Sequence, residues 1–358
     1  MGVEIKLTDR EIPVSPVFVD FLAHIVDGKP FDDAQWHDQL SEELSSEHRG
    51  VVEKARENAE RVMGSETGKH AIARAYQLFV ALLTGNLELV RDFQRRFHFI
   101  NIIGVPRNGG SYLTKEAYRA LGYDPQRVPN VIAHDGFPEA GPFRFGSGHN
   151  SWTMSLATMA EFLTMVEIYF GNAKTHMGKI VVPKKLLKGS YAGGFFHHVL
   201  GEAVDHVFTV RHPATSAIST YEKSGGLPQD GKFAVRGNIE EWIRRDLAYT
   251  GVDALQMDYF DAYLRYWEQY HYYVATTGLS ANRNITIVPY TAERMAALSR
   301  RWHNRFESGL EPTEFKVFDK RERHPRWLQE AEPVVRRVAA VWERSGLVFP
   351  FDEVMEAW

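Results

Sequence analysis

The chain contains no cysteine, which excludes disulfides, thiolate metal sites and a cysteine nucleophile. It also lacks any apolar run near the roughly 20 residues that a membrane-spanning helix requires. Neither charge sign dominates. Against 46 Asp and Glu stand 42 Lys and Arg, a formal charge of −4. Such a chain has no general attraction to nucleic acid or acidic membranes, so any anion site must be local. Internal repeats and low-complexity tracts are missing as well. The opening MGVEIKLTDREIPVS has no basic-then-apolar signal-peptide pattern. Lys6 stands where a myristoylation signal after Gly2 wants Ser or Thr. These absences predict a soluble, cytoplasmic protein with no transmembrane segment and no nucleic-acid partner.

What is present suits an ordinary globular chain: 358 residues, 44% hydrophobic and 25% charged. Residues 1–96 read as helical. Val17, Phe18, Phe21, Leu22 and Ile25 share one helical face, residues 47–63 form a charged amphipathic run, and the stretch from His70 is one or two helices broken near Gly85. From Phe97 onward short apolar runs near 97–103, 179–182, 206–210 and 284–288 alternate with helical stretches. That alternation predicts an α/β domain over 97–358, a central parallel sheet flanked by helices, with an extra N-terminal helical region over 1–96. The segment 125–150, rich in Gly and Pro and without a period, reads as a long functional loop.

The first run leads into Gly104-Val-Pro-Arg-Asn-Gly-Gly-Ser111, and a helical pattern follows at Tyr112, Leu113, Ala117 and Leu121, stopping at Gly122. A strand, a glycine turn and a helix start form an anion cradle, because free backbone N–H groups and the helix dipole converge there. The turn overlays G-x-x-x-x-G-K-[ST], but Gly110 occupies the lysine position and the cation is Arg107. Such a loop suits one tetrahedral anion and is poorly equipped for ATP and Mg²⁺.

Two further blocks accompany it. Residues 210–221, VRHPATSAISTY, place Arg211 and Ser219 eight apart with Pro213 between them, and residues 173–179 read AKTHMGK. In this order the blocks resemble the sulfotransferases that use 3′-phosphoadenosine 5′-phosphosulfate (PAPS), over roughly residues 97–300. The resemblance implies a P-loop NTPase-like sulfotransferase fold. It makes Arg107, Asn108, Gly109, Gly110 and Ser111 the 5′-phosphosulfate loop, places Tyr112 on the adenine, gives Arg211 and Ser219 the 3′-phosphate, and adds Tyr290 from NITIVPY as a nucleotide contact. Asn108 and Gly110 depart from the family's hydroxyl residues, so backbone N–H groups must supply those contacts. The family's C-terminal basic element is not visible. The run KRERHPR offers Arg321 and Arg323 in its place.

The implied reaction moves a sulfuryl group from PAPS to a hydroxyl of a small-molecule or lipid-like acceptor, releasing adenosine 3′,5′-bisphosphate (PAP), and it needs no metal. Arg107, Lys174 and the helix start at Ser111 would neutralise the leaving phosphate. His176 is the expected general base, since its ordinary pKa lies near neutral and an extended segment points Lys174 and His176 to one face. His134 and His149 in the long loop are rivals. The pair His197-His198 is set aside as a metal site because adjacent side chains diverge. The stripe Tyr259, Tyr263, Tyr266, Trp267 and Tyr270 reads as core, with an aromatic acceptor wall as the functional alternative. Two rival functions are a P-loop nucleotide kinase or phosphotransferase, and a catalytically degenerate nucleotide-binding module used for partner interaction. Acceptor identity and oligomeric state stay open.

Overall fold

The computed structural model describes residues 3–6, 11–31, 48–133, 152–186, 190, 197, 199–223, 247, 251–253, 257–279, 284–318 and 325–356. In chain order these form β1 (Val3–Lys6), β2 (Glu11–Val14), α1 (Pro16–Val26), α2 (His48–Met63), α3 (Glu66–Thr84), α4 (Glu88–Arg96), β3 (Phe97–Ile103), α5 (Gly110–Ala120), α6 (Asn130–Ala133) and α7 (Trp152–Phe170). There follow β4 (Ile180–Leu186), β5 (Val204–Val210), α8 (Pro213–Lys223), α9 (Tyr259–Thr276), β6 (Ile285–Pro289), α10 (Ala292–Arg305), α11 (Pro325–Arg344) and α12 (Phe351–Glu356).

β1 and β2 pair antiparallel as a short ribbon. The central sheet is parallel, ordered β4-β3-β5-β6 and flanked by helices. β3 lies inside it and is buried along nearly its whole length, Phe97 through Ile103, which is why it is mostly apolar, with only His98 and Asn101 polar, and does not alternate. β5 and β6 run in register from His206 opposite Ile285 to Val210 opposite Pro289. β4 extends four residues past the expected Val182. Pro183 has no N–H to give, and β4 ends the order of described strands, the place in a sheet where proline is tolerated. Lys184 is buried beside it: its ammonium donates to the Ile132 carbonyl at 3.0 Å and lies 4.5 Å from the centre of the Phe162 ring. Among the described residues no helix is long and apolar enough to cross a membrane.

The chain divides into two compact units, residues 1–100, 118–185 and 199–204 in the first, and 101–117, 186–198 and 205–358 in the second. In the first unit α3 packs along α7, and Arg74 of α3 makes a two-pronged ion pair with Glu167 of α7 at 2.8 and 2.9 Å. Helix α3 stops where foreseen: Gly85 takes φ +71 as its C-cap, a conformation that carries no Cβ penalty only in glycine.

Helix α1 is fastened in the same unit. Ser15 caps it by accepting the Phe18 N–H, and donates its own N–H and hydroxyl to the Glu161 carboxyl of α7. Burial raises the Glu161 pKa from 4.5 to about 7, against the opposing pull of the Ser15 hydrogen bonds. An acid whose folded pKa is raised stabilises the fold fully below its unfolded pKa and loses that contribution as pH climbs through the folded one. A shift from 4.5 to about 7 is worth at most about 3 kcal/mol. The stability difference between wild type and Glu161→Gln in urea unfolding should therefore fall steadily between pH 4.5 and 7.5. A difference that stays flat across that range would show that the carboxyl does not titrate there.

Candidate functional site

The second unit gathers the glycine loop and the second basic block. The loop leaves β3 at Gly104, where an added Cβ would collide with Thr209 Oγ1 and stand 3.0 Å from the Thr209 carbonyl oxygen of β5. Glycine here lets two strand ends approach closely. Arg107 adopts φ +68 and Gly109 φ +81, so the chain turns through two left-handed residues before α5 starts at Gly110. A left-handed arginine costs of order 1–3 kcal/mol and persists only where its surroundings enforce it.

Those surroundings are specific. Asn108 is buried, its amide donating to the Thr209 carbonyl at 3.1 Å. Ser216 of α8 sits 3.1 Å from the Pro106 carbonyl and 3.1 Å from Asn108 Oδ1, with the Tyr263 hydroxyl 2.8 Å away. Arg211, buried at the end of β5, donates Nη1 to the Arg107 carbonyl at 2.8 Å and Nε to Thr215 Oγ1 at 3.2 Å. Its guanidinium lies 4.2 Å from the centre of the Tyr290 ring. Arg107 is exposed, and its Nε donates to Ser219 Oγ of α8 at 3.2 Å. Burial pushes the Arg211 pKa down, but a guanidinium keeps its charge. Two arginines, Ser219 and the helix start at Ser111 thus meet in one place.

The expected residues divide as follows. Arg107, Gly109, Gly110, Ser111, Tyr112, Arg211, Ser219 and Tyr290 all belong to this unit, and the Arg107–Ser219 and Arg211–Arg107 hydrogen bonds join the two sequence blocks. Asn108 joins them as a brace, since its side chain is turned inward on Thr209 and Ser216. The Arg107 side chain points to Ser219. Arg321, Arg323, His134 and His149 lie outside the described residues.

Lys174 and His176 belong to the first unit. Residues 176–179 form a tight reversal in the first unit: His176 and Lys179 exchange backbone hydrogen bonds at 2.7 and 3.1 Å, and Met177 and Gly178 between them take φ +51 and +79. Two left-handed residues in a two-residue loop are the geometry of a hairpin turn. Lys179 Nζ reaches the Gln94 carbonyl of α4 at 3.1 Å, so the turn lies where β3 and β4 begin.

The aromatic stripe of α9 is core: Tyr259, Tyr263, Tyr266, Trp267 and Tyr270 are at most 3% exposed. Their polar tips brace the site, Trp267 Nε1 donating to the Arg211 carbonyl at 3.2 Å and the Tyr259 hydroxyl to the Ala217 carbonyl at 2.9 Å. Burial drives His212, next to Arg211, down to about 3, so it stays neutral, and its Nδ1 accepts the Ala214 N–H at the start of α8.

The extended segment 310–318 after α10 escaped the sequence reading. Phe315 stands 4.6 Å from the Tyr112 ring and 5.1 Å from the Tyr290 ring, and a Cβ on Gly109 would meet Tyr290, Phe315 and Met295. Three aromatic rings thus line the loop beside the two arginines. The segment has no period to betray it, and only the Thr-x-Phe at 313–315 marks the contact. Lys184 and Lys185, which close β4, were passed over because Pro183 hid the strand. Compared with family models, curated proteins and solved structures, the chain matches none.

Gly104→Ala should lower stability by about 1–3 kcal/mol in urea unfolding, the usual cost of overpacking. Thr209→Ala in the same chain removes the colliding hydroxyl and should recover part of the loss. Additive losses in the double variant would mean that the approach of the two strands is not the constraint on Gly104.

Proposed function

We propose that the second unit binds a 3′-phosphoadenosine nucleotide and that the protein is a PAPS-dependent sulfotransferase acting on a hydroxyl acceptor. The observation that carries this reading is the junction of the two basic blocks: Arg107 on Ser219, and Arg211 on the Arg107 carbonyl. One anion faces the N–H groups at the start of α5. A second faces Arg211, Ser219 and the Arg107 guanidinium. Two anion seats beside a wall of Tyr112, Phe315 and Tyr290 match a ligand with a flat ring and two phosphates on one ribose.

In the reaction the acceptor oxygen attacks sulfur in line. A new S–O bond forms while the bond to the 5′-phosphate breaks, and the acceptor's proton passes to solvent. The protein's contribution is position and charge: N–H groups at the loop and helix start stabilise the departing phosphate. Gly110 in the lysine position weighs against ATP as the nucleotide.

Thermal shift decides between the readings. PAP should raise the melting temperature at concentrations where ATP with Mg²⁺ gives a smaller rise, because only PAP fills both seats. Arg107→Ala should weaken PAP binding by about tenfold or more, as expected for losing a charge-assisted contact. A larger response to ATP and Mg²⁺ would transfer the chain to the phosphotransferases. A chain that binds PAP tightly but transfers no sulfuryl group to any phenol or alcohol would be the non-catalytic module.

A further inference from the structure

Helix α5 carries two residues one turn apart, Tyr112 and Glu116, that project from the same face. Both hold the same residue of the segment beside the loop. The Tyr112 hydroxyl donates to the Thr313 carbonyl at 2.8 Å. Glu116 Oε1 accepts the Thr313 hydroxyl at 2.6 Å and Oε2 the Thr313 N–H at 3.0 Å. The same carboxylate accepts the Ser299 hydroxyl at 2.9 Å and stands 3.3 Å from His303 Nε2, both on α10. Glu116 is 1% exposed. Thr313 itself lies on the surface, with Glu311 and Glu314 exposed to either side.

A buried carboxylate with no partners would be very costly, so this one demands its donors. Two of them sit on a rigid helix and two come from a single residue of an otherwise extended strand of chain. Pro312 restricts the residue before it to extended backbone, so the segment reaches Thr313 already straight. Two residues beyond Thr313, Phe315 lies between the Tyr112 and Tyr290 rings over Gly109. Thr313 thus sits on the latch, and Phe315, two residues on, sits against the loop.

We infer that Glu116 is a positioning residue: it latches the strap 311–316 to α5 and so fixes Phe315 over the glycine loop. The carboxylate touches no ligand. It acts through Thr313, and it makes the aromatic wall of the site preformed in the free protein. The identity of the ligand rests on the nucleotide reading above; the latch itself does not.

Amide hydrogen exchange over residues 311–317 and titration with PAP, on the full chain, test this. Wild type is compared with Glu116→Gln, Thr313→Val and Ser299→Ala. Thr313→Val removes only the strap's hydroxyl donor, whereas Ser299→Ala removes a donor of the same carboxylate without touching the strap. Glu116→Gln and Thr313→Val should speed exchange in the strap by about tenfold and weaken PAP by about as much, while Ser299→Ala moves either by no more than about twofold. Unchanged exchange in Thr313→Val overturns the inference. So does a Ser299→Ala variant that loosens the strap equally, since the effect would then be general destabilisation. Should Glu116→Gln fail to fold, the Thr313→Val and Ser299→Ala pair carries the decision. If wild type binds no PAP, the nucleotide reading fails, and strap loosening in Thr313→Val but not in Ser299→Ala still upholds the latch.

Discussion

The second unit is organised around one buried guanidinium. Arg211 ends β5 and donates to the Arg107 carbonyl, so the strand that carries the second basic block also holds the shape of the glycine loop. Burying an arginine is unfavourable unless its donors and its charge are met. Thr215, the Arg107 carbonyl and the Tyr290 ring meet part of that need, and Trp267 secures the backbone of Arg211 from α9. Of the five N–H donors of a guanidinium, the contacts with Thr215 and Arg107 engage two. An anion supplied from solution would complete the set. The fold thus carries a positive charge that its own side chains only partly accommodate, a common physical reason for a binding site.

Strain and support are matched in the loop. Arg107 and Gly109 sit in left-handed conformations, and each neighbour of the turn is fixed from behind: Pro106 and Asn108 by Ser216, Gly104 by the close passage of Thr209. The aromatic residues of α9 that read as core from their spacing are core. They also supply the polar tips that hold Ser216 and Arg211, Tyr263 and Trp267 respectively. Core packing and site geometry are therefore one network here, and a change in either is felt in the other.

Much of this was legible in the sequence, for identifiable reasons. β3 and β5 announce themselves because strands covered on both faces become apolar runs, and the glycine turn after β3 has a composition few other structures need. What failed was information that the sequence does not carry locally. β4 was cut short at Val182 because Pro183 and two lysines look like a strand end, whereas Lys184 finds carbonyl partners on α6 and an aromatic face on α7. The K-T-H segment was assigned to the site by its order in the chain. The Met-Gly pair at 177–178 was the available sign, since two left-handed residues mark a hairpin turn and not an extended segment.

The strap 310–318 shows why an aperiodic segment can matter as much as a motif. Its contacts pair Thr313 with residues almost two hundred positions earlier, and neither hydrophobic period nor spacing points there. Yet the logic is local once α5 is seen. A helix that starts at an anion cradle offers its first turn to the ligand and its second to whatever borders the ligand, because residues four apart share a face. Tyr112 is the first-turn residue and Glu116 the second-turn residue, and both end on Thr313. The same helix that starts at the glycine loop thereby fixes the aromatic wall beside that loop. Coupling the two through one rigid element means that loop and strap are set together before any ligand arrives, which lowers the ordering cost of binding.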